Sequence, residues 1–146
     1  MLYGKGQPKL ILLNADGTQN LVRTFDFADR IQPKFKDETI EYTVQDGQLI
    51  RYIIGWWVEF DIYWPSISDA EFADLITMMK DQGDIDSELG TTKYIEMTPR
   101  VDNAAEKYEG FIVSPIEVLN EFYFLTHGAR ITFKSKKRLR KDQFLL

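Results

Sequence analysis

The stretch LIRYIIGWWVEFDIYW, residues 49–64, decides the fold of this chain. From Trp56 onward its residues alternate with a period of two, which places one set of side chains on each face of a strand. One face carries Trp56, Val58, Phe60, Ile62 and Trp64, and the other carries Trp57, Glu59, Asp61 and Tyr63. Since sixteen residues exceed the length of an ordinary strand, Gly55 predicts a bulge or a bend that lets the ribbon curl.

Turn residues upstream of this stretch predict two hairpins. Thr39–Val44 and Leu49–Ile54 flank Asp46-Gly47, a dipeptide typical of a type I′ turn because both central residues take positive φ there. Closer to the N-terminus, Lys9–Leu13 and Leu21–Phe25 flank a second turn at residues 14–17.

A capping box predicts one helix directly after the long strand. Ser68 has the N-cap position and Glu71 follows three residues later, so their side chains can satisfy free N–H groups at the helix start. Apolar residues follow at helical spacing, and Gly83 suits the left-handed position just past the helix end. We predict an amphipathic helix at about residues 69–81. Its polar side is acidic and carries Asp69, Glu71, Asp74 and Asp81.

Strand patterns return after the helix, around Lys93–Met97 and over Tyr108–Val113, and again near the C-terminus. The last two strands are expected to form a hairpin with a two-residue turn at His127-Gly128. That turn would pair Phe124 with Ile131 on an apolar face and leave the opposite face polar.

Together these elements predict a mainly β (α+β) fold in one domain. We expect a β-sandwich or a partly closed barrel of about eight strands, with one packed amphipathic helix. Residues 1–133 are expected to form the single β-rich domain, and residues 134–146 a basic C-terminal tail.

The composition excludes several kinds of active site. The chain has 146 residues, of which 44% are hydrophobic and 28% charged, as is usual for a soluble globular domain. The absence of cysteine excludes disulfides, thiolate zinc sites and a cysteine nucleophile, and a single histidine excludes a His-rich metal centre. We expect neither a transmembrane helix nor a signal peptide, because no apolar run is long enough for either.

No pattern in the sequence predicts catalysis, a cofactor or a metal site. His127 is expected to have a conformational role in the turn that it belongs to. We do not expect it to act as a general base. The acidic run DQGDIDSE, residues 81–88, suggests calcium. However, a loop that begins at Asp84 has Leu89 and Ile95 where an EF-hand needs glycine and glutamate. We therefore expect a protein that is not an enzyme and has no cofactor.

The charges are distributed unevenly along the chain. The formal net charge is −5, yet residues 134–146 hold six basic side chains against one acidic side chain. Residues 69–88 are the counterpart, with seven acidic side chains and one lysine. A basic tail on an acidic body indicates what the protein binds, and says little about its fold.

This complementarity favours assembly between copies over nucleic-acid binding. The tail lacks the interleaved aromatic residues of a strand-binding surface, and the acidic body would repel a polyanion. The chain also ends in apolar residues, which are expected to be covered by a partner and not exposed to water. Removal of the chain from Lys134 onward should leave a folded monomer that cannot assemble. The candidate interface residues are Trp57, Tyr63, Asp69, Asp74, Asp81, Asp84, Lys136, Lys137, Arg138, Arg140, Lys141, Phe144, Leu145 and Leu146.

Three segments resemble small structural proteins of tailed-bacteriophage tails. They are GWWVEFDIYWPSISDAEFADLITMM from Gly55, KYEGFIVSP from Lys107 and ARITFKSKKRL from Ala129. The pattern is most similar to distal tail or baseplate-hub proteins, and it extends over most of residues 37–139. Tail-tube, tail-terminator and neck proteins have related β-folds and stay open as alternatives.

The resemblance implies a virion component that forms a ring in the tail. Such a subunit is assembled in the cytoplasm of the bacterial host. Its partners are other copies of itself and neighbouring tail proteins. DNA only passes through the ring as cargo, and no membrane is involved. Two other classes remain open. A monomeric β-module could bind a small ligand in a mouth lined by Trp and Tyr, and a nucleic-acid-associated accessory protein could act through the basic tail.

Overall fold

The computed structural model describes residues 4–113, 117–122 and 126–140. These residues form eleven strands, one α-helix and one short 3-10 helix. The elements are β1 Gly4–Gly6, β2 Lys9–Leu13, β3 Gln19–Thr24, β4 Ala28–Thr43, β5 Leu49–Ser68, α1 Asp69–Asp81, β6 Ile85–Asp86, β7 Thr91–Thr92, β8 Tyr94–Thr98, a 3-10 helix Val101–Asn103, β9 Tyr108–Ile112, β10 Glu117–Phe122 and β11 Thr126–Ser135.

One large antiparallel sheet dominates the molecule. Eight strands follow one another in the order β1-β4-β5-β11-β9-β8-β2-β3, and β10 pairs with β11 beside this path. The sheet curls into a half-barrel, while β6 and β7 form a separate two-stranded pair. The predicted mainly β fold with one helix is therefore confirmed, in the form of a partly closed barrel.

The core lies inside the curl, as the alternation in β5 predicts. Val58, Phe60, Ile62 and Trp64 are fully buried, whereas Trp56, which we also expected in the core, is only half-buried. Helix α1 packs on the sheet and adds two buried side chains, Leu75 and Met78. The Trp64 indole N–H donates to the Asp26 carbonyl at 3.1 Å, which satisfies its polar atom, and its ring lies 5.2 Å from that of Phe25.

The capping box is present at the start of α1. The Glu71 amide donates to the Ser68 hydroxyl at 3.1 Å, and the same hydroxyl donates to the Glu71 carboxylate at 3.2 Å. The helix spans Asp69–Asp81, and Gly83 has φ +83° just beyond its end. The predicted bounds and both end signals are confirmed.

The ribbon of β4 and β5 is much longer than the sheet that it belongs to. The two strands pair from Arg30 opposite Tyr63 to Thr43 opposite Leu49. A bulge interrupts the ladder, because Glu38 lies opposite Gly55 and Thr39 opposite Ile53, so Ile54 is the extra residue. No other described strand pairs with residues 39–54, and we call this two-stranded extension the arm.

The turn at the tip of the arm differs from the predicted type I′ turn. The Gly47 amide donates to the Val44 carbonyl at 2.9 Å, so Gln45 and Asp46 are the central residues instead of Asp46 and Gly47. Gly47 follows with φ +87°, as in a three-residue loop that ends in a left-handed glycine. The Asp46 carboxylate favours this loop because it accepts from the Gln48 amide at 3.0 Å.

The predicted C-terminal hairpin has the wrong register. His127 and Gly128 lie within β11, where His127 pairs with Glu121 of β10 and with Ile67 of β5. Phe122 is paired with Thr126, so the connection falls on residues 123–125, which lie outside the described residues. Arg130 of β11 pairs with Glu117 of β10, which is not the register of the predicted hairpin, and Phe124 lies outside the described residues.

Candidate assembly surface

The arm exposes apolar side chains that a monomeric domain would ordinarily bury. Paired residues of a ribbon lie on the same face, so Ile40 with Tyr52 and Tyr42 with Ile50 form one apolar face. Ile40 is 41% exposed, and Tyr42 and Tyr52 are each 49% exposed. Such a stripe, free of charged residues, is typical of a surface that another molecule covers.

The opposite face of the arm is mixed in character. Glu41 pairs with Arg51 across the ribbon, with an Arg51 Nε to Glu41 Oε1 distance of 3.2 Å. Leu49 and Ile53 are exposed on the same face. Apolar residues are therefore accessible on both faces of the arm.

The bulge determines where the apolar stripe points. In an uninterrupted strand the even residues 50 and 52 would share a face with the core residues Val58 and Phe60. The extra residue Ile54 shifts the pairing by one, and a shift of one residue moves side chains to the opposite face. The stripe therefore lies on the outer side of the sheet.

That outer side is basic where β4, β5 and β11 run together. We call it the outer face, and it is formed by the side chains that point away from the core in these three strands. Tyr63 is flanked by Arg30 and Arg130, and Glu59 is flanked by Lys34 and Lys134. Lys36 lies opposite Trp57. Five basic side chains therefore lie on the outer face, against the three carboxylates of Glu38, Glu59 and Asp61.

Trp57 and Tyr63, two predicted interface residues, lie on this outer face and are half-buried. The Lys134 ammonium lies 4.9 Å from the centre of the Trp57 ring, a cation–π contact. The Trp57 indole N–H donates to the Glu38 carboxylate at 3.1 Å. The tryptophan is thus held in one orientation by its neighbours on adjacent strands.

Asp61 is the most strongly constrained carboxylate of the outer face. It accepts from the Thr132 hydroxyl at 2.8 Å, and its other oxygen lies 3.2 Å from the Lys34 ammonium. Burial raises the pKa of Asp61, but these two hydrogen bonds and the charges of Lys34 and Arg130 outweigh burial. The pKa of Asp61 consequently lies below its ordinary value, and the group is ionised at neutral pH.

The predicted acidic residues lie on the other part of the fold, on α1 and the loop after it. Asp74 already has a partner, because its carboxylate lies 3.5 Å from the Arg23 guanidinium. Asp84 is 61% exposed and 3.9 Å from Lys93. Asp69 begins α1 and Asp81 ends it. These carboxylates therefore lie at both ends of the helix and do not form one compact cluster.

The basic C-terminal segment folds back on its own domain. Lys134 and Ser135 belong to β11, so the strand runs past the predicted boundary at residue 133. Leu139 exchanges backbone hydrogen bonds with Trp56 at 2.8 and 2.9 Å. A truncation from Lys134 onward would therefore remove part of the sheet, so the folded monomer expected from that truncation does not follow.

The basic side chains of this segment have partners within the chain. Lys136 lies 3.3 Å from Glu109 and 3.6 Å from the centre of the Tyr94 ring. Arg138 lies 3.4 Å from Glu38. Lys137 and Arg140 are exposed, whereas Lys141, Phe144, Leu145 and Leu146 lie outside the described residues. In one copy the contacts of Lys136, Arg138 and Leu139 are therefore with the sheet of their own domain.

The described surface shows little that suits chemistry. Among the described residues, no group of three His, Cys, Asp or Glu side chains could hold a metal ion. Glu106 is fully buried but accepts from the Tyr108 hydroxyl at 2.8 Å and from the Asn103 amide at 3.3 Å, which is a structural role. Within the same residues, no helix has the length and hydropathy of a membrane span.

A groove of about 900 Å³ lies between the β2–β3 turn and the loop after α1, and three carboxylates of that loop line it. Trp57 and Tyr63 do not line it. The aromatic mouth that a ligand-binding module would use is therefore not formed at this groove.

No protein-family model matches this sequence, and a search of curated proteins finds no match to it. The function is therefore inferred from the arm and the outer face. Sequence reasoning placed Trp57 and Tyr63 on a face with acidic residues, but it missed the basic residues of β4 and β11. Only the cross-strand register reveals those neighbours. The position of the apolar stripe on the outer side of the sheet depends on the bulge in β5.

Proposed function

We propose that this protein is a structural, non-enzymatic subunit that assembles into a ring in a bacteriophage tail. Its closest functional likeness is a distal tail or baseplate-hub protein, with tail-tube, tail-terminator and neck proteins as alternative layers. The observation that carries the proposal is the arm, which extends beyond the sheet and exposes apolar residues on both faces.

The energetics of the arm support an assembly role. A two-stranded hairpin without further packing is only marginally stable in water. The exposed apolar area of Ile40, Tyr42 and Tyr52 gains stabilisation only when it is covered, at about 25 cal/mol per Å². Burial of the arm by a neighbouring subunit would order the ribbon and hold the subunits together.

A ring follows from the asymmetry of the contact. The arm lies at one end of the β4–β5 ribbon, and we expect the surface that receives it to belong to a different part of the neighbour. Contacts between unlike surfaces are heterologous, and they close into a ring when the rotation per subunit divides a full turn. The acidic net charge of −5 suits a ring through which DNA passes as cargo, because like charges discourage adhesion.

An arm-replacement variant tests the proposal. Residues 39–54 are exchanged for Asn-Gly, a two-residue turn that joins Glu38 to Gly55, which are already paired. We expect a folded protein, because no other described strand pairs with the arm, and we expect it to be a monomer. The wild type should form ring-shaped particles with a central channel by electron microscopy, and the variant should form none.

A matched pair of point variants separates apolar contact from loss of the hairpin. Ile40→Thr with Tyr52→Thr removes apolar area from the stripe and places a β-branched residue, which favours strands, at each position. Glu41→Gln with Arg51→Gln removes the charged pair of the opposite face and leaves the stripe unchanged. Rings should be lost in the first variant and retained in the second, and rings retained in the arm-replacement variant would disprove the proposal.

A further inference from the structure

We infer that the outer face of one copy binds the acidic loop of a second copy, where the acidic loop is residues 84–90. This inference rests on the proposed assembly and specifies which two surfaces meet.

The outer face has a basic part and an apolar part, which follow one another along β4 and β5. Around Tyr63 and Glu59 it is basic, and from Ile40 onward it is apolar, because the bulge turns the stripe of the arm to this side. Arg30, Lys34 and Lys36 of β4 are all exposed along this path. A partner that fits the whole face therefore carries carboxylates and apolar side chains close together.

The acidic loop has this combination within seven residues. Asp84, Asp86 and Glu88 lie next to two apolar residues, of which Ile85 is 73% exposed and Leu89 is 52% exposed. Ile85 is the most exposed large apolar side chain of the described residues. The loop and the outer face are complementary in charge and also in apolar character.

The acidic loop is ordered before it binds. The Asp86 carboxylate accepts from the amides of Glu88 and Leu89 at 3.0 and 3.2 Å. β6 and β7 pair at the base of the loop, and the Thr91 hydroxyl donates to the Ala15 carbonyl at 3.1 Å. A loop fixed in this way loses little conformational entropy on docking.

The two surfaces are separated within one copy. The acidic loop lies beside the β2–β3 turn, because residues of both line one groove, and β2 lies five strands from β4 in the sheet order. The loop of one copy can therefore engage the outer face of the next copy, which leaves its own outer face available. This head-to-tail arrangement is the geometry that closes a ring.

The outer face is less suited to nucleic acid, the other polyanion that it could attract. Lys134 lies over the Trp57 ring, so this tryptophan is not open on that side for a stacked base. The Glu59 and Asp61 carboxylates lie in the middle of the basic rows, where they would repel phosphates. Mixed charges in fixed positions instead define the register between two protein surfaces.

Charge reversal on each surface tests the inference. The face variant is Arg30→Glu with Lys36→Glu, and the loop variant is Asp84→Lys with Glu88→Lys. These positions leave the Lys34–Asp61 pair and the Asp86 hydrogen bonds intact. The control is Lys9→Glu with Lys107→Glu, which reverses two basic charges near Glu96, across the sheet from β4.

We expect each reversal variant to remain folded and to self-associate at least about tenfold more weakly than the wild type by analytical ultracentrifugation. The control should assemble like the wild type. When the two reversal variants are mixed, opposite charges meet at both loop–face contacts, so the mixture should assemble with the two variants in equal numbers. A chain with all four reversals should regain self-association.

Several outcomes would overturn the inference, and they are distinguishable from failure of the proposed function. If both reversal variants assemble like the wild type while the arm-replacement variant does not, the assembly stands but these two surfaces are not its contact. A wild-type monomer would reject the assembly itself. If a single-stranded oligonucleotide binds the wild type but not the face variant, and oligomer mass is equal in both, the face is a nucleic-acid site.

Discussion

Asp61 illustrates how single residues of the outer face depend on strands that are distant in the chain. Its hydroxyl donor Thr132 comes from β11 and its cationic partner Lys34 comes from β4, on either side of β5. A side chain that looks like one more exposed acid in the sequence is therefore a fixed anion between two strands. Its ionisation contributes to the stability of the sheet.

Replacement of Asp61 by Asn should reveal this contribution through its pH dependence. Since the folded-state pKa of Asp61 is lowered, its stabilising effect is present above the ordinary aspartate pKa and is lost as the pH falls through the folded-state value. We expect Asp61→Asn to lower the free energy of unfolding by about 1 kcal/mol at neutral pH. The difference from the wild type should shrink below about pH 4. Urea unfolding at several pH values measures it, and a difference independent of pH would contradict the assignment.

Some residue roles could be read from the sequence and others could not. The alternation in β5 correctly predicts that Val58, Phe60, Ile62 and Trp64 are buried, because burial of a half-exposed strand follows its own period of two, but it is wrong for Trp56, which is only half-buried. It cannot reveal that Arg30 and Arg130 flank Tyr63, since the identity of a cross-strand neighbour depends on register. The basic character of the outer face was hidden for this reason.

At the scale of elements, α1 shows what local sequence signals determine. Its start, its end and its buried side follow from residues within one or two turns, and all three were predictable. The hairpin of β10 and β11 shows the opposite case. The register of β11 is fixed by pairing with β5 on one side and with β9 and β10 on the other, which no local turn signal encodes.

The cap of α1 should make a measurable contribution to stability. We expect Ser68→Ala to lower the free energy of unfolding by about 1 kcal/mol, because the Glu71 amide loses its acceptor at the helix start. The matched control is Thr77→Ala in the exposed middle of the helix, where the hydroxyl donates to the Ala73 carbonyl at 3.0 Å. That change should alter stability by less than about 0.5 kcal/mol. Equal losses in both variants would argue against a capping role.

At the scale of the whole molecule, the fold exposes apolar residues on two surfaces, the arm and the acidic loop. The arm exposes an apolar stripe on the outer side, and the acidic loop presents Ile85 and Leu89 among carboxylates. Neither could be derived from composition, because the first depends on one extra residue in β5 and the second on the position of a short loop. The mainly β class and the single helix, in contrast, follow directly from the pattern of elements.

The mass of the wild-type protein in solution tests the assembly most directly. Light scattering at moderate salt, over a wide range of protein concentration, distinguishes a closed ring from a single chain of 17.1 kDa. We predict one discrete oligomer whose mass stays constant once it has formed, because a heterologous ring has no free surfaces left to extend. A mass of one chain at every concentration would contradict the account.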